Sequence, residues 1–331
     1  MIEIIQTGPF NTVQDLGRPG FRNIGVTASG AMDPLALKIG NSLLGNETGA
    51  AVLEIQTYPF KLRFSEATAF VVTGADCGAS IDGRTVQPWC ALSVDAGQVL
   101  ELGQPRVATR AYICIAGGID VASVMGSRST SLRGAFGGNE GRFLITGDVL
   151  QLGEVSAPLN LPATGLAVVD PTYALSDVYP AYEDGALVVR AIPAGEHSLF
   201  GEDAERFWSQ TWKISTQSDR TGYRLMGEPI KPTVPVEMRS HGVVSGVVQV
   251  PPSGEPIIQM ADANTAGGYP KIAGVIEADL WRLGQARIGS RLRFVRVTHA
   301  QAAEVERAVA GFIDDVGKTS RMVCGALQAM K

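Results

Sequence analysis

Two glycine-rich, charged clusters contain the residues of this sequence that have the right types and spacing for chemistry. The larger cluster consists of three pieces in the C-terminal half, Ser218–Arg224, Ser240–Gly242 and Ala261–Lys271. Successive backbone N–H groups at Gly267 and Gly268 predict an anion-binding nest, because N–H groups that converge in a turn attract negative charge. The pattern therefore favours a site for an oxyanion or a phosphate.

Charged side chains of the same three pieces complete the predicted site. Lys271, Arg220 and Arg224 supply positive charge, and Asp262 or His241 can move a proton. We predict catalytic roles for Lys271, His241, Asp262 and Arg220. The candidate substrate- or phosphate-binding residues of this cluster are Gly267, Gly268, Tyr269, Ser218, Asp219, Tyr223 and Arg224. On spacing alone, turns with surface salt bridges explain the cluster equally well, and a hydrogen-bonded structural role explains His241.

The smaller cluster lies near the N-terminus, in the segments Thr12–Gly20 and Ser29–Pro34. A structural interpretation, two turns followed by a helix cap, fits its glycines and its Asp-Pro pair. However, turns do not require the polar trio Gln14, Asp15 and Arg18, so we predict that these three residues also contact substrate.

Standard catalytic and metal-binding motifs do not occur in the sequence. It has no G-x-S-x-G, H-E-x-x-H or G-x-G-x-x-G pattern. Its three histidines and four cysteines lack the spacing of metal ligands or of a disulfide framework, so we expect no bound metal.

Short segments that alternate between apolar and polar residues must position these clusters. Phe60–Phe64 shows the alternation most clearly, since every second residue is apolar. Turn residues recur at intervals of about 8–15 residues, which favours sandwiches or barrels over a βαβ array. We therefore predict a mainly β protein with few helices. The other predicted strands are Ile2–Ile5, Phe70–Val72, Val99–Leu102, Tyr112–Ile115, Leu187–Ile192, Val243–Val250 and Leu292–Val297.

Three segments have helical periodicity, and one region has no periodicity. The helices are predicted at 33–45, where Asp33 and Pro34 form the start, at 202–210 and at 301–316. Periodicity is lost in the proline-containing stretch 154–185, which predicts a linker. The predicted organisation is an N-terminal β domain (1–153), the linker (154–185), a C-terminal β-barrel domain (186–298) and a C-terminal helix with a tail (299–331).

Composition limits the classes of partner. The chain has 331 residues, a formal net charge of -5 and 39 glycines. Because clustered basic residues are absent, we predict neither nucleic-acid nor membrane-surface binding. The sequence shows no apolar run of about 20 residues and no signal-peptide pattern at its start, so we expect a cytoplasmic protein.

Nearly the whole chain, to about Val297, resembles the KipA family, which is also called allophanate hydrolase subunit 2 or the biotin-dependent carboxyltransferase family. The resemblance rests on the order of several runs of sequence. They are Thr12–Gly45, Arg110–Arg133 with its Met125-Gly126-Ser127-Arg128-Ser129-Thr130 run, Ser218–Leu225, and Gly246–Lys271 with Gln249-Val250-Pro251-Pro252. The resemblance adds Gln249 and Arg128, which lie in these runs, to the candidate binding residues.

The resemblance implies cyclophilin-like barrel domains and an enzyme that works in a complex. Members pair with a KipI-type subunit, and in the 5-oxoprolinase version a LamB/YcsF-type subunit joins them to convert 5-oxoproline into L-glutamate with ATP. The free-standing chain and His241 within Ser240–Gly242 favour this version, and we expect no activity without the partner subunits. Thr221 and Ala266 depart from the commoner Met and Thr, which leaves the identity of the amide substrate open.

Two other functions are compatible with the resemblance. Fused members form the carboxyltransferase part of urea carboxylase, which uses biotin, and a regulatory member antagonises a kinase inhibitor. The hydrolase and the carboxyltransferase share a physical requirement, because the carbonyl oxygen of an N–C=O group gains negative charge in both reactions.

Overall fold

The structure is a computed structural model, and it describes residues 1–155 and 159–329. The chain divides into two compact units. Unit 1 consists of Met1–Arg18, Ser29–Asp170 and Ala310–Lys331, and unit 2 consists of Pro19–Ala28 and Pro171–Val309. The larger candidate cluster lies in unit 2, and the polar trio of the smaller cluster, Gln14, Asp15 and Arg18, lies in unit 1.

Unit 1 is built from two antiparallel sheets. Its strands, within the described residues, are β1 (Ile2–Gln6), β2 (Thr12–Gln14), β3 (Val52–Ile55), β4 (Phe60–Phe64), β5 (Thr68–Asp76), β6 (Ser80–Ile81), β7 (Arg84–Thr85), β8 (Cys90–Val94), β9 (Val99–Leu102), β10 (Val107–Ile115), β11 (Ile119–Asp120), β12 (Val149–Leu152) and β13 (Leu166–Ala167). One sheet has the order β11-β12-β1-β4-β9-β6-β7, and the other has the order β13-β8-β5-β10-β3-β2.

Alternation within the strands creates the core of unit 1. In β4 the apolar residues Phe60, Leu62 and Phe64 are buried, whereas Arg63 between them is exposed. Because successive side chains of a strand point to opposite faces, one face of the strand joins the core cluster of the unit. The short alternating segments of the sequence therefore identify inward-facing strand residues correctly.

Helix α1 (Pro34–Leu43) packs on β5 and β10 and begins where the sequence predicts. The Asp33 carboxylate accepts a hydrogen bond from the Ala36 N–H at 2.8 Å, and proline occupies the first turn. Both features favour a helix start, because the first N–H groups have no partner within the helix. The end of α1 is followed by Gly45, whose φ of 66° is in the left-handed region.

Unit 2 contains a closed barrel. Its strands, within the described residues, are β14 (Leu187–Pro193), β15 (Trp212–Ile214), β16 (Gly222–Met226), β17 (His241–Gly242), β18 (Val247–Gln249), β19 (Ile257–Gln259), β20 (Ala266–Gly267), β21 (Lys271–Val275) and β22 (Arg291–Arg296). The barrel has the order β14-β21-β18-β19-β16-β15-β22, and the parallel pairing of β14 with β22 closes it. The two short strands β17 and β20 pair with each other outside the barrel.

Four more helices occur in the described part of the chain. They are α2 (Pro171–Ala174), α3 (Glu202–Ser209), α4 (Leu280–Gln285) and α5 (His299–Ala329). Helix α3 matches its prediction closely, whereas α5 extends well beyond the predicted segment 301–316 and passes from unit 2 into unit 1 after Val309. No helix of the described residues is both long and apolar enough to cross a membrane.

The prediction of a mainly β protein with few helices is confirmed, but one strand prediction is wrong. Val243–Val250 does not form a single strand, because Gly246 has a φ of 87° and ends the extended conformation before β18 begins. A Cβ atom at this position would lie 2.8 Å from the Val275 carbonyl oxygen, so only glycine fits there.

The domain boundaries derived from the sequence stay a prediction. The chain passes between the two units at four places, and one of them, between Asp170 and Pro171, lies within the predicted linker 154–185. This stretch contains β13 and α2, which are too short to produce a readable period, and its residues 156–158 lie outside the described residues. The predicted tail also has its last residues, 330–331, outside the described residues.

Candidate functional site

The three pieces of the larger cluster lie on neighbouring elements of unit 2. Ser218–Arg224 leads into and begins β16, Ser240–Gly242 leads into and forms β17, and Ala261–Lys271 contains β20 and the start of β21. The pairing of β17 with β20 brings His241 opposite Gly267. The fold thus joins two pieces of the cluster that are well separated in the sequence.

Arg220 and Asp262 form a buried ion pair. The Arg220 Nε donates to one Asp262 carboxylate oxygen at 2.9 Å and Nη2 to the other at 3.4 Å, and the side chains are only 7% and 14% exposed. The backbones are also joined, because the Asp262 N–H donates to the Arg220 carbonyl oxygen at 2.9 Å. A fork of two parallel bonds fixes both side chains, so the pair holds the start of the Ala261–Lys271 segment in place.

His241 presents a buried nitrogen with no protein partner. Its Nδ1 lies 2.9 Å from the Arg239 carbonyl oxygen, and since a carbonyl can only accept, Nδ1 carries the hydrogen of the neutral ring. Nε2 then has a free lone pair. This atom is buried, and no described residue forms a hydrogen bond with it. An oriented, unpartnered imidazole nitrogen is suited to accept a proton from a bound molecule.

Lys271 places a cation beside the same short strand. Its Nζ donates to the carbonyl oxygen of Gly242, the residue after His241, at 3.1 Å. Among the described residues no carboxylate forms an ion pair with this ammonium group. The backbone N–H of Lys271 is bound by the Glu196 carboxylate at 3.3 Å, which fixes the start of β21. The ammonium group is therefore available to bind a ligand.

The glycines of this cluster do not form the predicted nest. Neither Gly267 nor Gly268 has left-handed backbone geometry, and Gly267 lies in a strand. Their role is close packing. A Cβ atom would lie 2.8 Å from the Gln249 Nε2 if built on Gly267, and 2.9 Å from the Met238 carbonyl oxygen if built on Gly268. A triphosphate would find no set of convergent N–H groups here.

Two buried amides orient the segment that precedes Lys271. Gln249 Nε2 donates to the Tyr269 carbonyl oxygen at 3.3 Å, and its Oε1 accepts from Gln259 Nε2 at 3.2 Å. Because the carbonyl can only accept, the direction of both amides is fixed. Gln249 is therefore a positioning residue in this structure, while Tyr269 itself is 44% exposed.

Ser218 and Asp219 serve the turn before β16. The Asp219 carboxylate accepts from the Thr221 N–H at 2.8 Å and from the Gly222 N–H at 3.2 Å. The Ser218 hydroxyl accepts from the Arg224 N–H at 3.0 Å. These bonds match the structural interpretation of the run. The Arg224 side chain is exposed, and Tyr223, another candidate binding residue, is only 1% exposed.

Arg22 is a cation of this site that the sequence analysis missed. It lies in Pro19–Ala28, which belongs to unit 2, and its Nη1 donates to the carbonyl oxygens of Val243 at 2.7 Å and Asn264 at 3.4 Å. Burial lowers the pKa of its guanidinium group. Its partners lie more than 220 positions further along the chain, so no local spacing could reveal them.

Asp15 of the smaller cluster is the centre of a hydrogen-bond network in unit 1. Asp15 is only 8% exposed, and its carboxylate accepts from the Gly17 N–H at 2.7 Å, the Ser127 hydroxyl at 2.7 Å, the Ser129 hydroxyl at 2.5 Å and the Arg128 N–H at 2.6 Å. Three of these bonds reach Oδ1 and the bond from Arg128 reaches Oδ2, so both oxygens are tied to the protein. Asp15 therefore connects the loop that contains Gly17 with the loop that contains Ser127, Arg128 and Ser129.

The other members of the smaller cluster also bind protein groups. Arg18 donates to the Ser129 carbonyl oxygen and stacks at 4.9 Å from the centre of the Phe136 ring. Gln14 is fully buried and donates to the Thr12 hydroxyl at 3.0 Å. Arg128 forms an exposed ion pair with Asp120. Asp15 and Arg128 also line a cavity of about 890 Å³ in unit 1.

Cysteines and potential metal ligands add no reactive centre to the described residues. The four cysteines are free and buried, and burial raises the pKa of each thiol, to about 12 for Cys77 and Cys114. No group of three or more His, Cys, Asp or Glu in the described part of the chain has an arrangement that could hold a metal ion.

These features define a mainly β, barrel-containing protein whose candidate site has an unpartnered histidine nitrogen and cationic side chains. A family model described as carboxyltransferase domain, subdomain A and B, matches residues 24–296. The chain belongs to this carboxyltransferase family, which confirms the resemblance found in the sequence.

Curated relatives are similar along almost their whole length. The chain is 40% identical over 308 residues to the C subunit of 5-oxoprolinase from Escherichia coli (strain K12), covering 93% of this chain and 94% of that protein. It is 38% identical over 317 residues to the C subunit of 5-oxoprolinase from Haemophilus influenzae (strain Rd), covering 96% and 97%. The similarity is therefore between whole chains.

A solved structure shows the same fold within a larger protein. The chain superimposes on Kluyveromyces lactis urea carboxylase with a TM-score of 0.84 and 29% sequence identity, covering 96% of this chain and 29% of that one. The region matched in urea carboxylase is thus one part of a much longer enzyme.

Proposed function

We propose that this chain is a subunit of an ATP-dependent 5-oxoprolinase complex that converts 5-oxoproline into L-glutamate. The observation that carries the proposal is the geometry around β17, where His241 has an unpartnered, buried Nε2 and Gly242 binds the Lys271 ammonium group. Two relatives that are C subunits of 5-oxoprolinase, and that match nearly end to end, support the choice of substrate.

Opening of a lactam ring needs the two kinds of group that this site contains. Water must lose a proton as it attacks the carbonyl carbon, and the oxygen of that carbonyl gains negative charge. In our proposal His241 Nε2 takes the proton and the Lys271 ammonium group faces the oxygen. The C–N bond then breaks, and His241 returns the proton that it took from water to the leaving nitrogen, which becomes the amine of glutamate.

The remaining residues of the cluster hold these two groups in position. The Arg220–Asp262 pair fixes the segment that leads to β20, and Gln249 fixes the Tyr269 carbonyl just before Lys271. A misplacement of about 1 Å in a reacting group can cost a factor of 100 in rate, so such supporting contacts matter for turnover.

We assign ATP to the complex and not to this chain. The segment at Gly267 and Gly268 lacks the geometry of a phosphate nest, so no step in our proposal places ATP on these residues. Relatives that are single subunits of an enzyme imply further subunits, and we propose a KipI-type and a LamB/YcsF-type partner, with no turnover by the isolated chain. Because the complex consumes ATP, we propose a cytoplasmic location.

A second function, carboxyl transfer from biotin to urea, is favoured by the structural similarity to urea carboxylase. In that reaction His241 would accept a proton from the attacking nitrogen, and biotin would enter on another subunit or domain. Glutamate release separates the two functions, because only the hydrolase produces it. A regulatory protein that binds a kinase inhibitor would show neither activity.

Two substitutions test the site in the assembled complex. We expect Lys271→Ala to reduce glutamate release by about 100- to 1000-fold, the usual cost of losing one stabilising group at an oxyanion. Arg220→Ala should also abolish ATP-dependent turnover, because it leaves Asp262 buried without its partner. Lys213→Ala, which removes an exposed lysine of the same barrel, is the matched control.

The measurement is glutamate release from 5-oxoproline, with and without ATP, after co-purification with both partner subunits. Circular dichroism shows whether each variant is folded. Normal turnover by both Lys271→Ala and Arg220→Ala would refute the site. A correctly assembled wild-type complex that releases no glutamate would refute the function and favour carboxyl transfer.

A further inference from the structure

Arg22 is a partly buried cation whose charge no carboxylate balances. Its described partners are the carbonyl oxygens of Val243 and Asn264, and both accept from the same nitrogen, Nη1. No carboxylate among the described residues forms an ion pair with this guanidinium group. This distinguishes Arg22 from Arg220, which has a carboxylate partner in the same unit.

An unbalanced, partly buried guanidinium group is a binding site for an anion. Burial weakens the hydration of the charge, and the lowered pKa of Arg22 has the same cause. The carbonyl oxygens hold one nitrogen, so Nε and Nη2 keep three N–H donors. Two of these donors in a planar fork match the two oxygens of a carboxylate.

The two carbonyl partners connect Arg22 with the candidate site. Val243 directly follows the His241–Gly242 strand, and its N–H binds the Thr265 carbonyl oxygen at 3.1 Å. Asn264 lies between Asp262 of the buried ion pair and Gly267, which pairs with His241. Arg22 is thus bound to both segments that form the site.

We infer that Arg22 binds the carboxylate of the substrate, so that this site selects amides with a negative charge. This inference rests on the proposed function and adds the basis of substrate choice to it. 5-Oxoproline has a carboxylate next to its lactam, whereas urea is a neutral amide with no such group. Recognition of that carboxylate favours 5-oxoproline and gives no benefit to urea.

The test compares ligands with and without the carboxylate in the assembled complex. Binding of 5-oxoproline, of 2-pyrrolidinone (the same ring without the carboxylate) and of urea is measured by calorimetry without ATP. We expect Arg22→Gln to weaken 5-oxoproline binding by about 10- to 100-fold, the cost of one charge-assisted hydrogen-bonded pair. Its binding of 2-pyrrolidinone should equal that of the wild type.

Two further variants make the result specific. Arg22→Lys keeps the charge but loses the planar fork, so it should retain more 5-oxoproline binding than Arg22→Gln. Arg293→Gln removes an arginine that is paired with Glu183 elsewhere on the barrel, and it should bind all ligands normally. In turnover assays Arg22→Gln should raise KM for 5-oxoproline much more than it lowers kcat.

The outcomes separate this inference from the proposed function. The role of Arg22 would be overturned if the wild type and Arg22→Gln bound 5-oxoproline equally well. It would also be overturned if Arg22→Gln lost as much affinity for 2-pyrrolidinone as for 5-oxoproline. Absence of glutamate release by the wild-type complex would instead overturn the function. Carboxylate-dependent binding that requires Arg22 would support the inference even in that case.

Discussion

The network around Asp15 allows a direct test of whether a charged motif residue is structural. Its carboxylate accepts hydrogen bonds from Gly17, Ser127, Arg128 and Ser129 and is only 8% exposed. In Asp15→Ala the two hydroxyls can turn elsewhere, but the two backbone N–H groups cannot. Each donor left buried costs about 1–3 kcal/mol, so we expect unfolding to become easier by about 3–5 kcal/mol.

Thermal and urea unfolding measure this loss. For a unit of 150–250 residues, about 3–5 kcal/mol corresponds to a fall in the melting temperature of unit 1 of about 6–20 °C. Asp15→Asn should lose less stability than Asp15→Ala. The side-chain carbonyl oxygen of asparagine can replace one carboxylate oxygen, although its NH2 group would then face the Arg128 N–H, and both are donors. The control Asp120→Asn breaks an exposed ion pair and should cost less than about 1 kcal/mol.

The opposite result would refute the structural explanation of Asp15. If the free energy of unfolding of Asp15→Ala lay within about 1 kcal/mol of the wild-type value, the four hydrogen bonds to Asp15 would not stabilise the loops. If the same variant then lost 5-oxoproline turnover, the role in substrate contact predicted from the sequence would be restored. Both measurements are therefore needed on the same protein.

Two histidines give further predictions. His241→Gln should reduce glutamate release by about 100- to 10,000-fold, the usual contribution of a proton acceptor, whereas His299→Gln on the exposed start of α5 should not; equal activities would contradict the role of His241. Burial, followed by the positive charge of Arg296, lowers the pKa of His197, whose Nε2 accepts from the Trp208 indole N–H at 3.0 Å. As the pH falls below 6.5, the unfolded state takes up this proton first, so unfolding should become easier between 6.5 and the lower pKa of the folded state. His197→Gln should flatten that dependence in unfolding experiments followed by circular dichroism at about pH 7.5 and about pH 5.5, and an unchanged slope would contradict this assignment.

The fold could be predicted wherever local sequence determines the local structure. β4 has five residues and alternates throughout, and α1 has both a capping Asp33 and an adjacent proline. Strands such as β17 and β20 contain only two residues each, and a period cannot be read from two residues. Their pairing depends on the rest of unit 2, so only the structure shows that it brings His241 opposite Gly267.

The candidate site was predictable in its residue types but not in its bonds. Gly267 and Gly268 suggested a nest in the sequence, yet their backbone geometry shows that close packing is what requires glycine there. Arg220 and Asp262 each looked like a free charged group until the structure showed that they bind each other. Arg22 was missed because the carbonyl oxygens that bind it carry no sequence signal, since every residue has one.

Asp15 and His241 differ in how far protein groups occupy their hydrogen-bonding positions. Asp15 accepts four hydrogen bonds from protein groups, three on Oδ1 and one on Oδ2, so most of its acceptor positions are already used within the protein. His241 has one nitrogen fixed by a carbonyl and the other buried without a partner, and a buried polar atom without a partner is costly to maintain. Arg22 and Lys271 form no ion pair with a carboxylate in the described part of the chain. A buried polar group without a partner costs free energy in the free protein, and a ligand that binds to it offsets this cost.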